Sequence, residues 1–502
     1  MTAPSPRRGR LAFCGVDVGT QGVRALVVTA DGTCVGSGNA GLLPGNRSDG
    51  KHEQEPAGWW SAMVAAIRAA VAQAGEGYDI AGVALDATSG TILVEDADGT
   101  ARGPALMYDD ARAAQQAIRA QRSGAQLWDA LGYRMQTSWA LPKLMWLVEN
   151  GCVGVGHRVV HQSDHLLRRL TGSPVATDTS HSLKTGVDLR DIAWPTEIFH
   201  ELGIRESVLP EVVLSGTVIG RVGADAAAAT GLPVGTAVRA GMTDGCAAQI
   251  ATGAVRSGSW SSALGTTLVI KGSTAQLIRD PHGAVYSHRN PDGGWLPGGA
   301  SSTGAGVLNQ EFPGLDAAGL DALTRRAASA VPVDGVTYPL TGVGERFPFV
   351  APQAHGFVSP DAVDEPRRFA ALCQSIAYVE RLAYDVLAVL GADVSGPVAL
   401  TGGAARNSWW NQLRTDTLGR PTLLPESVQA AYGMAVLAAA EPLHLAPTAE
   451  RMVKIANRYS PDPARCNELR PGYERLLDEL VDRKWLDGQL ATRVLSTASS
   501  AS

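Results

Sequence analysis

Short apolar runs bounded by Gly, Asp and Thr alternate along the chain with longer stretches in which apolar residues recur at every third or fourth position. The first kind predicts strands and the second helices. Residues 11–16 have a buried-strand pattern, 17–22 read as a turn, and 23–29 as a second strand. The Asp31-Gly32 pair then leads into a third strand over 33–37, so the chain opens on an antiparallel meander. A helix starts at Pro56 and runs through Trp59, Trp60, Met63, Ile67 and Val71. A strand over 80–85 ends at Asp86-Ala87-Thr88-Ser89-Gly90, and residues 91–95 with the Asp98-Gly99 turn read as another hairpin. Helical spacing covers 109–122, 142–149 and 164–170, and 171–182 reads as a polar loop.

Strand-like segments over 218–222 and 237–240 lead to the central stretch, 241–267, and the first domain boundary falls near 251–257. Beyond it the same logic returns. A strand, a glycine turn and a strand occupy 259–271, and residues 294–303 lead through Gly304 and Gly306 into a helix from Val307. Phe369, Leu372, Ile376, Val379, Ala383, Val386 and Leu390 mark a long amphipathic helix, followed by a strand over 397–401 and helices over 408–418 and 429–439. The second half reads as a diverged copy of the first, and the tail after Leu486, small and polar, reads as frayed. The fold class is α/β.

Composition narrows what such a chain does. With 502 residues, 45% hydrophobic and 18% charged, it has enough apolar material for two large domains and is not a disordered polymer. A net charge of −6 argues against a nucleic-acid or anionic-membrane partner and leaves a small molecule. The six cysteines are scattered singly, which points neither to a disulfide framework nor to a zinc site. Arg7, Arg8 and Arg10 precede an apolar run too short for a signal peptide or a membrane span, so the expected location is cytoplasmic.

Four glycine-bearing turns carry the candidate chemistry. In Asp17-Val18-Gly19-Thr20-Gln21-Gly22 the glycines can adopt positive φ, Thr20 can offer a hydroxyl and N–H to phosphate, and Asp17 can hold a divalent ion through water. Gly265-Thr266-Thr267 makes a second corner suited to an anion. Gly402-Gly403, directly after a strand, would let a planar ring approach the backbone. Asp244, between Gly241 and Gly245 at a helix start, presents a carboxylate to a ligand. Each piece alone reads equally as a hairpin turn or a helix cap, and Arg24, Asp86, Asp109 and Asp110 alone read as caps or solvated pairs.

In order along the chain these motifs resemble the FGGY carbohydrate kinases. Residues 15–24 are similar to the family's first phosphate motif, 143–150 to one of its helices, Gly241 and Asp244 to its catalytic loop, 264–267 to its second phosphate motif and 401–407 to its adenosine motif. The resemblance implies two actin-like, ribonuclease-H-like domains with a central cleft, 1–253 binding sugar and 254–486 binding nucleotide. It implies ATP and Mg²⁺, with Asp244 as base towards a sugar hydroxyl. On the nucleotide side it implies Asp17, Gly19, Thr20, Gln21, Arg24, Gly265, Thr266, Thr267, Gly306, Gly402, Gly403, Ala404 and Asn407, Asp17 also lying next to the metal. On the sugar side it implies Thr88, Ser89, Asp109 and Asp244. A homodimer is the self-assembly considered.

Thr88-Ser89 and Tyr108-Asp109-Asp110 stand where D-xylulose-selective members carry Met-His and Trp-Asn-Asp. The run 85–90 and residues 344–348 look instead like the ribulokinase-like branch, so the expected acceptor is D-ribulose. D-xylulose is the alternative, and an actin-like ATPase without a sugar acceptor is the rival class.

Overall fold

The computed structural model describes residues 9–359 and 364–500; Arg7 and Arg8 lie outside them. The chain forms two compact units. The first takes Met1–Gly253, His288–Gly294 and Ser427–Lys454, and the second Ala254–Ser287, Trp295–Glu426 and Ile455–Ser502. A single cut after residue 253 therefore does not describe them, because the chain returns twice to the first unit.

The first unit is built around a seven-stranded sheet and also contains a five-stranded one. Strands Arg10–Val18, Gly22–Thr29 and Cys34–Gly41 form the antiparallel meander. Strand Tyr78–Ala87 lies parallel on the other side of Arg10–Val18, Ala237–Arg239 lies parallel beyond it, and Val218–Arg221 closes the edge antiparallel. The short strand Met242–Thr243 also runs parallel to Tyr78–Ala87. Arg10–Val18 is central, which is why its middle reads as a continuous apolar run and not as an alternation. Helix Ala430–Ala439 is apolar almost all round and is buried against this strand and against helix Asp244–Ala251. Backbones nearly touch there: a Cβ on Gly15 would lie 1.9 Å from the Ala431 carbonyl oxygen, and one on Gly433 2.0 Å from that of Ala247.

The second unit repeats the strand order. Trp260–Leu264, Leu268–Gly272 and Trp295–Ala300 make its meander. Val398–Thr401 lies parallel beside Trp260–Leu264, Thr422–Pro425 parallel beyond it, and Ile455–Tyr459 closes the edge antiparallel. Its core gathers on helix Glu365–Val389, whose Asp364 cap accepts from Arg367 N and whose Pro366 sits in the first turn. A fully buried ion pair, Arg414 with Glu380 at 2.7 Å, ties that helix to helix Ser408–Leu418.

Three segments differ from their expected form. The helix read over 109–122 starts at Ala114, because the Asp110 carboxylate binds the Arg112 side chain and the backbone N–H groups of His52 and Arg112, which holds this stretch in a turn. The tail after Leu486 is a helix, Gly488–Ser500, capped by the Asp487 carboxylate on Leu490 N and anchored by buried Ala491 and Val494. The polar loop ends in a buried helical turn, Thr179–Ser182. Among the described residues no helix is long and apolar enough to cross a membrane.

Candidate active site

In the first unit three carboxylates collect at the ends of neighbouring parallel strands. Asp17 and Asp86 are register partners in the pairing of Arg10–Val18 with Tyr78–Ala87, and Met242 is the partner of Asp86 on its other side. Asp244 follows two residues later, exposed at the first turn of helix Asp244–Ala251, its Oδ1 accepting from Gly245 N at 2.7 Å. Gly241 makes this crowding feasible, since a Cβ there would lie 1.8 Å from the Leu85 carbonyl oxygen.

Asp86 is fully buried and neither carboxylate oxygen has a hydrogen-bond partner. Burial first, then the charges of Asp17 and Asp244, push its pKa well above the ordinary range. Burial likewise raises Asp17, against the pull of Arg24, whose Nη1 donates to Asp17 Oδ2 at 3.2 Å. A group raised in this way stabilises the fold fully below its unfolded pKa, and that contribution is lost as pH rises through its folded pKa. Asp86→Asn, permanently neutral, is therefore expected to raise the Tm of the ligand-free protein at about pH 8 and to change it much less at about pH 5. Melting curves at both pH values check this, and an equal shift at both would mean that the Asp86 charge is not the cause.

The turn after Asp17 lines a polar depression of about 680 Å³ with Gly19, Thr20, Gln21, Gly22 and Arg24. Neither Gly19 nor Gly22 uses its freedom to take positive φ. Gly22 is needed for closeness instead: a Cβ there would meet the Ala40 carbonyl oxygen at 2.8 Å. The turn is pinned from outside by Gln54 Nε2, which donates to Thr20 O, and by Leu42 N, which donates to Gln21 O.

The two hydroxyls of the 85–90 run have different surroundings. Thr88 Oγ1 is buried and bonded to Gln162 Oε1 at 2.8 Å and Thr91 Oγ1 at 2.6 Å, whereas the Ser89 hydroxyl has no hydrogen-bond partner. Asp109 is held by Arg47 at 2.8 Å and His52 at 2.5 Å. Burial would raise this carboxyl, but those two bonds outweigh it and hold the pKa below the usual value. Lys143, fully buried on helix Ala140–Glu149, donates at 2.7 Å to the carbonyls of both Gly90 and Met107 and so ties the two segments together. Burial lowers its pKa to about 7. The residues of 143–150 thus include a polar anchor that the helical pattern did not show.

In the second unit a cavity of about 420 Å³ is lined by Gly265, Thr266, Gly306, Gly403 and Ala404 together with apolar side chains including Phe312, Phe369 and Trp410. Five residues read from three separate motifs thus meet at one pocket. Thr267 and Gly402 do not line it. Gly402 has φ +84°, and a Cβ there would lie 2.4 Å from the Leu264 carbonyl oxygen. Asn407 caps the next helix, accepting from Trp410 N at 3.0 Å, and donates to Thr324 Oγ1 at 2.9 Å. The aromatic wall of the pocket comes from residues distant in sequence, and no local signal marked them.

Comparison with known proteins divides the chain in two by sequence. Residues 12–251 match the N-terminal domain of the FGGY family of carbohydrate kinases and residues 261–441 its C-terminal domain. The chain is similar to a xylulose kinase of Streptomyces rubiginosus, 31% identical over 480 residues and covering 93% of this chain and 94% of that protein. A xylulose kinase of Streptomyces coelicolor is 32% identical over 441 residues, covering 85% and 87%. In fold, the crystal structure of xylulose kinase from Rhodospirillum rubrum superposes with a TM-score of 0.83 over 94% of this chain and 98% of that one, at 24% identity.

Proposed function

Given that the chain belongs to the FGGY family of carbohydrate kinases and is therefore a sugar kinase with ATP as phosphoryl donor, we propose that its acceptor is a ketopentose, D-xylulose. The observation that carries this reading is the near full-length similarity to two relatives named xylulose kinase. The D-ribulose preference expected from Thr88-Ser89 is corrected accordingly, since the relatives support the alternative. One observation favours D-ribulose as the second reading: Ser89 offers a small unpartnered hydroxyl where an imidazole was looked for, which leaves a differently shaped set of donors.

Asp244 takes the proton of the sugar hydroxyl as that oxygen attacks the γ-phosphorus and the bond to the ADP oxygen breaks. Its exposure at a helix start suits a group that must meet an incoming substrate. Ser89 and Asp109 orient the sugar, while Thr88, bonded within the protein, shapes the loop. In the second unit the cavity lined by Gly403, Ala404 and the aromatic wall takes adenosine, with Gly265 and Thr266 offering N–H and hydroxyl to phosphate.

The unpartnered Asp86 and its raised pKa mark a cluster short of positive charge, which fits a divalent cation. Among the described residues no group of three or more His, Cys, Asp or Glu is arranged to hold a metal. Asp17, with the buried Asp86 beside it, would hold Mg²⁺ through water, where the ion would supply neutralisation of charge on the transferring group.

Initial rates of ADP release with D-xylulose, D-ribulose and a panel of other ketoses and polyols test the reading. D-Xylulose is expected to give the highest kcat/KM. A preference for D-ribulose of about 10-fold, well within what one buried hydrogen bond provides, would replace the proposal by the second reading.

A further inference from the structure

Residues Thr177–Asp178 and Thr179–Ser182 form a run of six polar side chains, none more than 1% exposed. So long a polar stretch is costly to bury unless its groups are bonded to something that matters. Two adjacent members reach the two sides of the active site. Ser180 Oγ accepts from the backbone N–H of Thr243 at 3.1 Å and lies 3.1 Å from Thr243 Oγ1; Thr243 is the cap residue immediately before Asp244. His181 Nε2 lies 3.3 Å from the carbonyl oxygen of Ala87, between Asp86 and the Thr88-Ser89 pair.

Both residues are fixed from behind. Asp178 Oδ1 accepts from the N–H groups of Ser180 and His181, each at 2.8 Å, and Asp178 Oδ2 lies 2.6 Å from His181 Nδ1. His288 Nδ1 lies 3.1 Å from Ser180 Oγ. The Asp178 carboxylate and the Ala87 carbonyl can only accept, so a His181 ring that donates from both nitrogens satisfies them both. The groups facing it are Asp178, Asp164 and the ring of His161, 5.9 Å away between centroids. Burial disfavours the charge, but Asp178 outweighs it and holds the His181 pKa above its usual value.

We infer that Ser180 and His181 are positioning residues of the phosphoryl transfer: Ser180 sets the segment that carries Asp244, His181 sets the sugar loop through Ala87, and Asp178 fixes the two relative to each other. The inference rests on the reading of Asp244 as base and of the Ala87–Gly90 turn as the sugar loop. It differs from a general structural role in one respect. Neighbours in one turn would ordinarily fail together, whereas here they serve different parameters.

Ser180→Ala is expected to lower kcat by roughly 10-fold with little change in the sugar KM, the factor that one hydrogen bond to a backbone group carries. His181→Leu is expected to raise the sugar KM by roughly 10-fold with a smaller change in kcat, and both should leave the KM for ATP unchanged. If His181→Leu fails to fold, His181→Asn, too short to reach the Ala87 carbonyl, is expected to give the same rise in sugar KM. Wild-type constants in both variants, or kcat and KM changing in parallel with a loss of Tm, would overturn the inference. Asp244→Asn and Ser89→Ala measured alongside separate the two failures. If these impair turnover and sugar KM while Ser180→Ala and the His181 variants do not, the positioning role is wrong and the site stands. If these are silent, the site itself is misread.

Discussion

Asp244→Asn is expected to lower kcat by about 10²–10⁴-fold while the KM for ATP stays near its wild-type value. Asparagine keeps the oxygen that accepts from Gly245 N at 2.7 Å, so the first turn of the helix is retained. What it removes is the capacity to take a proton at the moment the sugar oxygen attacks. Because Asp244 is exposed, its loss should also leave Tm almost unaltered, which separates chemistry from folding. Steady-state kinetics in both substrates with a parallel melting curve check this, and near-normal turnover would take Asp244 out of the role of base.

Gly403→Val is expected to raise the KM for ATP by roughly 10- to 100-fold, the range that about 1.4–2.8 kcal/mol of overpacking produces, with the sugar KM little changed. A Cβ on Gly403 meets nothing in the protein within 4 Å, and the residue lines the 420 Å³ cavity, so the valine side chain would stand where the nucleoside is proposed to sit. Its neighbour provides the control. Gly402→Ala puts a Cβ against the Leu264 carbonyl at a left-handed φ and should lower Tm before it changes any binding constant. A Gly403→Val enzyme with normal ATP affinity and an altered sugar KM would move the nucleoside elsewhere.

What the sequence revealed and what it hid follow from how far each interaction reaches. The strands and turns at Asp17, Gly265 and Gly402 were legible because a strand, a glycine and a strand are local, and the helix Ser408–Leu418 was legible from its spacing alone. Asp86 was not legible as a member of the acidic cluster, since its meeting with Asp17 depends on the register of two strands far apart in the chain. Thr88 and Ser89 looked alike in sequence, and the bonds of Thr88 to Thr91 and to Gln162, brought in from a distant helix, separate them. Glu345, read as a mark of substrate branch, is a buried hub that accepts from Ser301, Thr303 and Tyr338 and organises the second unit. The segment ending at Ser182 was read only as a polar loop because polarity in a sequence does not distinguish exposure to water from enclosure in a network.

The return of Ser427–Lys454 to the first unit has a consequence for how the enzyme is made. Helix Ala430–Ala439 lies backbone against backbone on strand Arg10–Val18, which carries Asp17, and on the helix beginning at Asp244, at distances that admit no side chain between them. A ribosome delivers that helix only after nearly all of the second unit's sheet. The first unit, although most of it emerges first, must wait with an apolar face uncovered until the later segment has been synthesised, unlike a chain whose domains complete themselves in order of appearance. A fragment ending at Gly253 therefore lacks a helix on which the first unit's sheet packs, and is an unfinished object.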